Sequence, residues 1–300
     1  MNTKLYTGNS STQSITGVGF QPDFTWIKDR IGSSAVYSHY LFDAVRGATK
    51  WWKTNSTDAE STTTDTLTAF DSDGFSLGAN AKTNASGDAI VSWNWKANGT
   101  GSTNDAGSID STVSVNTTSK FSIVKYTGTD GTETVGHGLG VAPTMIIFKC
   151  LDNGGKNSVV YHEALTNAGS IYLDEAGTSS TSYDYFADTS PTSTVFTVKK
   201  DGSYNETNNS GSNFIAYCFA DVDGYQKMGS YEGNGETNGT FIYTGFKPNF
   251  VIIKNSASSS GWWQMEDNKR DTYNPASHAL FAQVSDAEYT GTNYNVDYLS

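Results

Sequence analysis

The chain has 300 residues, of which 13% are aromatic and only 17% charged, with 30 glycines and a formal net charge of −12. That acidity repels a phosphate backbone and excludes the nucleic-acid-binding class. No apolar run is long enough to cross a bilayer as a helix, and Met1-Asn2-Thr3-Lys4 enters polar, β-prone sequence without an apolar leader core. Gly, Ser, Thr and Asn are plentiful, and no stretch keeps a helical period. Turn steps such as Asp73-Gly74, Asn98-Gly99, Asp201-Gly202 and Asn238-Gly239 separate short apolar runs. The pattern predicts an all-β fold of the sandwich type.

In chain order, Tyr6-Thr7-Gly8 opens a first unit, and Gly19 and Pro22 lead into Phe24-Thr25-Trp26-Ile27-Lys28. Tyr40-Leu41, Asp43…Arg46, Trp51-Trp52 and Asp58-Ala59-Glu60 follow, then Leu67-Thr68-Ala69-Phe70. Ser86-Gly87 introduces a closing strand in which Val91, Trp93 and Trp95 stand two apart, the period of a strand with one large apolar face. A second unit opens at Tyr126-Thr127-Gly128, runs through Pro143 into Met145-Ile146-Ile147-Phe148-Lys149, and closes after Ser210-Gly211 with Ile215, Tyr217 and Phe219 two apart. A third opens at Tyr231-Glu232-Gly233 and runs through Pro248 into Phe250-Val251-Ile252-Ile253-Lys254.

Three of the five prolines hold equivalent places, 121 and 105 residues apart (143 − 22 and 248 − 143). That spacing suits duplicated domains rather than a solenoid, and sets the expected units at 1–107, 108–229 and 230–300. The third unit matches the first at Asp267…Arg270, at Asp286-Ala287-Glu288 and at Val296-Asp297-Tyr298-Leu299. It holds no counterpart of residues 71–96. Its sheet is therefore expected to be unfinished, with an edge that further chain beyond Ser300 or a neighbour's strand would cover.

Chemistry-bearing groups are sparse. His39, His137, His162 and His278 are never spaced as zinc ligands. Asp71-Ser72-Asp73-Gly74 and Asp221-Val222-Asp223-Gly224 lack the remaining ligands of a calcium loop, and Asp73-Gly74 reads as a hairpin turn. No Gly-x-Ser-x-Gly elbow or Ser, His and Asp set stands out, so no cofactor, metal or catalytic residue is expected. Cys150 and Cys218 do not recur between units and read as free thiols. Asp43 with Arg46, and Asp267 with Arg270, suit local ion pairs, with a polar ligand as the alternative. Both tryptophan pairs, Trp51-Trp52 and Trp262-Trp263, read as core. The surface candidates are the tyrosine-rich loops, Tyr183 with Tyr185 and Tyr289 with Tyr294.

The runs Tyr6-Thr7-Gly8-Asn9, Gly17-Val18-Gly19-Phe20-Gln21-Pro22-Asp23-Phe24 and Leu41-Phe42-Asp43-Ala44-Val45-Arg46-Gly47 resemble an uncharacterised repeat domain of tailed-bacteriophage virion proteins. Gly136-His137-Gly138-Leu139-Gly140-Val141-Ala142-Pro143 and Ala216-Tyr217-Cys218-Phe219-Ala220 resemble its partner type. The resemblance implies tandem lectin-like jelly-roll sandwiches in a tail-fibre-like or head-decorating protein, with no catalytic residues to carry over. The expected partners are other virion proteins, further copies of this chain (a trimer, as in a fibre) and a host-surface glycan or protein. The expected location is the virion. A decoration protein without receptor contact and a virion-borne glycan depolymerase are the alternatives.

Overall fold

Strand alternation decides where each side chain goes in the computed structural model, which describes residues 1–32, 37–165, 167 and 169–299. The chain is almost entirely antiparallel β-structure. In the first copy the large sheet runs Asn2–Thr7, Ala89–Trp95, Phe24–Asp29, Tyr40–Asp43, Lys50–Lys53, Ser61–Thr62. The closing strand thus sits between the opening strand and the proline-led strand, with Trp93 opposite Thr3 on one side and Trp26 on the other. The second copy repeats this, with Asn213–Phe219 between Phe121–Thr127 and Met145–Cys150, and Tyr217 opposite Ile123 and Ile147. Ser102–Asn104 and Ser111–Asn116 extend the second sheet, so the hairpin spanning residue 107 belongs to the second copy.

Each complete copy carries a smaller sheet that makes it a sandwich. In the first copy Gln13–Thr16, Gly74–Leu77 and Leu67–Asp71 form it, with Asp73-Gly74 as the hairpin turn. Ile27, Tyr40, Phe42 and Ile90 face inward against Ile15, Leu67, Phe75 and Leu77. In the second copy Thr132–Gly136 pairs with Val195–Lys199, and Phe148, Tyr161 and Phe214 pack against Val135, Phe196 and Val198. Successive side chains in a strand point to opposite faces, so the other set must be buried elsewhere.

That other set meets in one shared core. Phe24, Trp26, Trp52 and Trp93 from the first copy pack with Phe121, Ile147 and Tyr217 from the second and with Trp263, Met265 and Leu280 from the third. Burying each such side chain contributes about 1.5–3 kcal/mol. The first and second copies thus each have a sandwich core of their own and share this further core with the third. The same backbone hydrogen bond joins each neighbouring pair. Glu60 N donates to Leu151 O, Ser179 N to Ser256 O and Glu288 N to Arg30 O, each at 2.8 Å. The acceptors all lie eight residues after the repeat proline (30 − 22, 151 − 143, 256 − 248). First copy to second, second to third and third back to first, the copies close a ring with threefold pseudosymmetry.

The third copy contributes only Phe250–Lys254, Trp263–Asp267, His278–Phe281 and Tyr289–Thr290 to its sheet. Residues 227–249 carry no strand. In both complete copies the opening strand pairs with the closing strand, and the described residues of the third copy form no closing strand.

Cys150 and Cys218 are free, and both are fully buried on the second copy's inner face. Burial pushes the Cys218 thiol well above its ordinary range, and the thiolate is the reactive form. Titration with a disulfide reagent is expected to find no accessible thiol in the native chain and two in denaturant. Prompt native labelling of either thiol would contradict this packing.

Candidate functional site

Two seams of the ring are built on the same ionic cluster. Asp43 ends a strand, and its Oδ1 accepts from Arg46 N at 2.9 Å while Oδ2 pairs with Arg46 Nε. Arg46 also reaches Glu60 Oε2 at 3.1 Å and Leu41 O at 2.9 Å. In the third copy Arg270 repeats each bond, to Asp267 Oδ2 at 2.6 Å, Glu288 Oε1 at 2.8 Å and Met265 O at 2.8 Å. A closing-strand aromatic from the next copy completes each cluster. Tyr217 OH donates to Asp43 Oδ2 at 2.7 Å, and Trp93 Nε1 donates to Asp267 Oδ2 at 3.0 Å. The arginine and aspartate side chains are at most 1% exposed. Burial opposes the charge on both guanidiniums, and the neighbouring carboxylates outweigh it and raise their pKa values. Asp43 with Arg46 and Asp267 with Arg270 form buried ion pairs, as the local ion-pair reading expected.

Glu266 is the cluster's outlier, a fully buried carboxyl at the place of Phe42 (the strands align Met265 with Leu41). Its Oε1 accepts from Gln264 Nε2 at 3.1 Å, and its Oε2 has no hydrogen-bond partner. Burial pushes its pKa up to about 7 from 4.5, against the pull of Arg270. Below the unfolded value both states hold the proton. As pH rises from 4.5 towards 7 the unfolded chain releases its proton first, so stability falls with pH across that window. Glu266→Gln is expected to be more stable than wild type by about 1–3 kcal/mol at pH 8 and to lose that advantage near pH 4.5. Urea denaturation at the two pH values measures it, and a pH-independent difference would contradict the assignment.

The tyrosine candidates separate. Tyr185 is fully buried, its hydroxyl 2.8 Å from that of Tyr172, which removes it from the surface. The segment folds its second ring inward beneath Tyr183. Tyr183 is half-buried and lies with its ring centroid 3.8 Å from that of Tyr204, which is 43% exposed and was not anticipated. Tyr289 and Tyr294 belong to a larger group with Trp262 and Phe281, at centroid distances between 4.8 and 6.2 Å. Of the tryptophan pairs, Trp51, Trp52 and Trp263 are core as expected, whereas Trp262 is only half-buried and joins this group, whose base is the buried Phe281. The strand registers put Phe281 and Tyr289 at the places of Lys53 and Ser61 in the first copy. The first copy's fold is built without rings there. The Tyr289 hydroxyl donates to Asp286 Oδ2 at 2.7 Å, which sets a carboxylate beside the aromatic surface.

Sequence reading also passed over Lys28, Lys149 and Lys254, each six residues after its repeat proline (28 − 22, 149 − 143, 254 − 248). Lys28 Nζ donates to Asp29 O and Tyr37 O at 2.7 Å and to Ser285 O of the third copy at 3.3 Å. Lys149 Nζ donates to Lys156 O at 2.9 Å and to Ser56 O of the first copy at 3.3 Å. Lys254 Nζ donates to Gly261 O. Burial lowers all three pKa values, those of Lys28 and Lys254 to about 8. Lys28 and Lys149 tie loops to seams while Lys254 bonds within its own copy, and their recurrence at one repeat position was the signal that could have found them.

Among the described residues no group of His, Cys, Asp and Glu side chains is placed to hold a metal ion, and no helix is long and apolar enough to cross a membrane. Fold and surface together define an all-β repeat protein whose copies close on one core and present aromatic groups outward. The chain belongs to the family described as Domain of unknown function (DUF7483), matched over residues 1–300. No curated protein and no solved structure matches it.

Proposed function

We propose that this chain is a structural protein of a tailed-bacteriophage particle, a fibre or appendage module that contacts a host-surface glycan. One observation supports glycan contact above the rest: Trp262, Tyr289 and Tyr294 crowd the third copy's surface where the first copy's fold needs no rings. Rigid aromatic faces offer a large contact area at little entropic cost and suit the apolar C–H face of a pyranose ring. Asp286 beside Tyr289 adds an acceptor for a sugar hydroxyl. The phage assignment and the lectin-like comparison rest on the sequence resemblance. Virion proteins as partners, a fibre trimer and virion location are parts of the same proposal.

The test is a glycan array of bacterial surface polysaccharides probed with the purified chain and with the Trp262→Ala, Tyr289→Ala double variant. Binding by the first, lost by more than about tenfold in the second with an unchanged unfolding midpoint, supports the proposal. Binding that the double variant retains, or none by a folded chain, overturns the glycan reading.

The unfinished third sheet favours a second reading, an architectural decoration protein held by a neighbour's strand. Cryo-electron microscopy of the particle separates the two. Exposure of the Trp262 surface fits attachment, and burial between subunits fits decoration.

A further inference from the structure

Phe250–Lys254 has a sheet neighbour on one side only. Phe250 and Ile252 are only partly buried, whereas their repeat counterparts Phe24 and Trp26 are 1% exposed and Ile147 is 4%. Upstream, Tyr231, Phe241 and Tyr243 are 48%, 67% and 80% exposed. Both complete copies show what such segments pair with. The segment ahead of the repeat proline pairs with a strand flanking the Asp-Gly turn, Gln13–Thr16 with Gly74–Leu77 just after Asp73-Gly74 and Thr132–Gly136 with Val195–Lys199 just before Asp201-Gly202. The opening and proline-led strands pair with the closing strand from its two sides.

The ring also says where the missing strand's central aromatic would go. Trp93 of the first copy packs on Phe250 of the third, at a centroid distance of 5.6 Å, and donates to Asp267. Tyr217 of the second copy packs on Phe24 of the first, at 4.5 Å, and donates to Asp43. Continued around the ring, the third copy's aromatic lands on the second copy, where Met145, His162 and Leu165 take the places of Phe24, Asp43 and Arg46. Those three are only partly buried.

We propose that the third copy is a docking site for a β-strand pair supplied by a polypeptide segment other than residues 1–300. The segment carries an Asp-Gly turn, a Ser-Gly lead and alternating large apolar residues. It enters antiparallel to Phe250–Lys254, recruits the opening segment at Tyr231 on its other edge, and seats its central aromatic against Met145 and Leu165. Main-chain bonds hold a strand added to an open edge, and pockets for alternate side chains select it. A second copy of this chain is not the donor, because both of its closing strands are already paired on two sides. This inference does not depend on the glycan reading.

The test mixes the full chain with a synthetic peptide of the sequence of residues 71–96, the first copy's version of both missing strands. Calorimetry is expected to show one peptide bound per chain, with amide exchange slowed at Phe250–Lys254 and at Phe241–Tyr243. Alanine at the peptide's Trp93 place, or Leu165→Asp in the chain, weakens binding by more than about tenfold. In a second arrangement the same sequence is fused after Ser300, and the unfolding midpoint rises. Equal binding of a scrambled peptide, or no binding together with an unmoved midpoint in the fusion, overturns the proposal. So does self-association that protects the same amides without peptide.

Discussion

Arg46→Met will lower the unfolding free energy by about 3–5 kcal/mol, because removing one partner of a buried ion pair leaves an uncompensated charge. The guanidinium links Asp43, Glu60 and Leu41 O within the first copy. It also holds the carboxylate that receives Tyr217 OH from the second. Without it Asp43 keeps only the Tyr217 hydroxyl and one backbone N–H to offset its buried charge. Arg46→Lys will not restore stability, since a single ammonium cannot make three divergent bonds in one plane. Asp43→Asn combined with Arg46→Met should recover at least half the loss, because no charge is then stranded. Chemical denaturation of the three variants decides the matter. A loss below about 1 kcal/mol for Arg46→Met would mean that water reaches the cluster.

Trp93→Ala should cost about 3–5 kcal/mol as a large-to-small change in a closed core. The indole is fully buried, 6.1 Å from the Trp26 ring and 5.6 Å from that of Phe250, with the Arg270 guanidinium 5.7 Å from its face. It is the wedge between the first and third copies. Trp93→Phe keeps most of the apolar volume and removes the N–H donated to Asp267, so it isolates the hydrogen bond at about 1–3 kcal/mol. If Trp93→Ala unfolds the first copy while the third stays folded, with two separate transitions, the shared core does not couple them. A single cooperative transition at lower denaturant is the expected result.

Much of this fold was legible before any coordinates, because strand sequences announce themselves locally. The period of two in Val91, Trp93 and Trp95, the proline-led runs and the Asp-Gly turns each place a strand or a hairpin using only neighbours in sequence. The recurring Asp43…Arg46 spacing named the central ion pair of its cluster, though not the part that Glu60 plays in it. It did not name Tyr217, which arrives from a chain position 174 residues away (217 − 43). Seams are non-local, and nothing in the local pattern says which copy an outward-facing ring will meet. Trp262 was hidden for a different reason. Its neighbour Trp263 starts the strand and points to the core, so adjacent residues take opposite faces and cannot share one role. Tyr185 was hidden by a turn that folds it inward, a choice made by tertiary packing rather than by composition.

The closed ring has a consequence for how the molecule keeps its stoichiometry. Three separate chains meeting on such a core would come apart on dilution, because their contacts depend on collision. Here covalent linkage holds the copies at a high local concentration, so closure does not depend on how much protein is present. Linkage also frees each seam to change alone, since a mutation in one copy is not copied into the others. Two seams carry an arginine cluster, and the third has His162 and Leu165 at the corresponding places. One face of a near-symmetric body has thereby become different from its siblings.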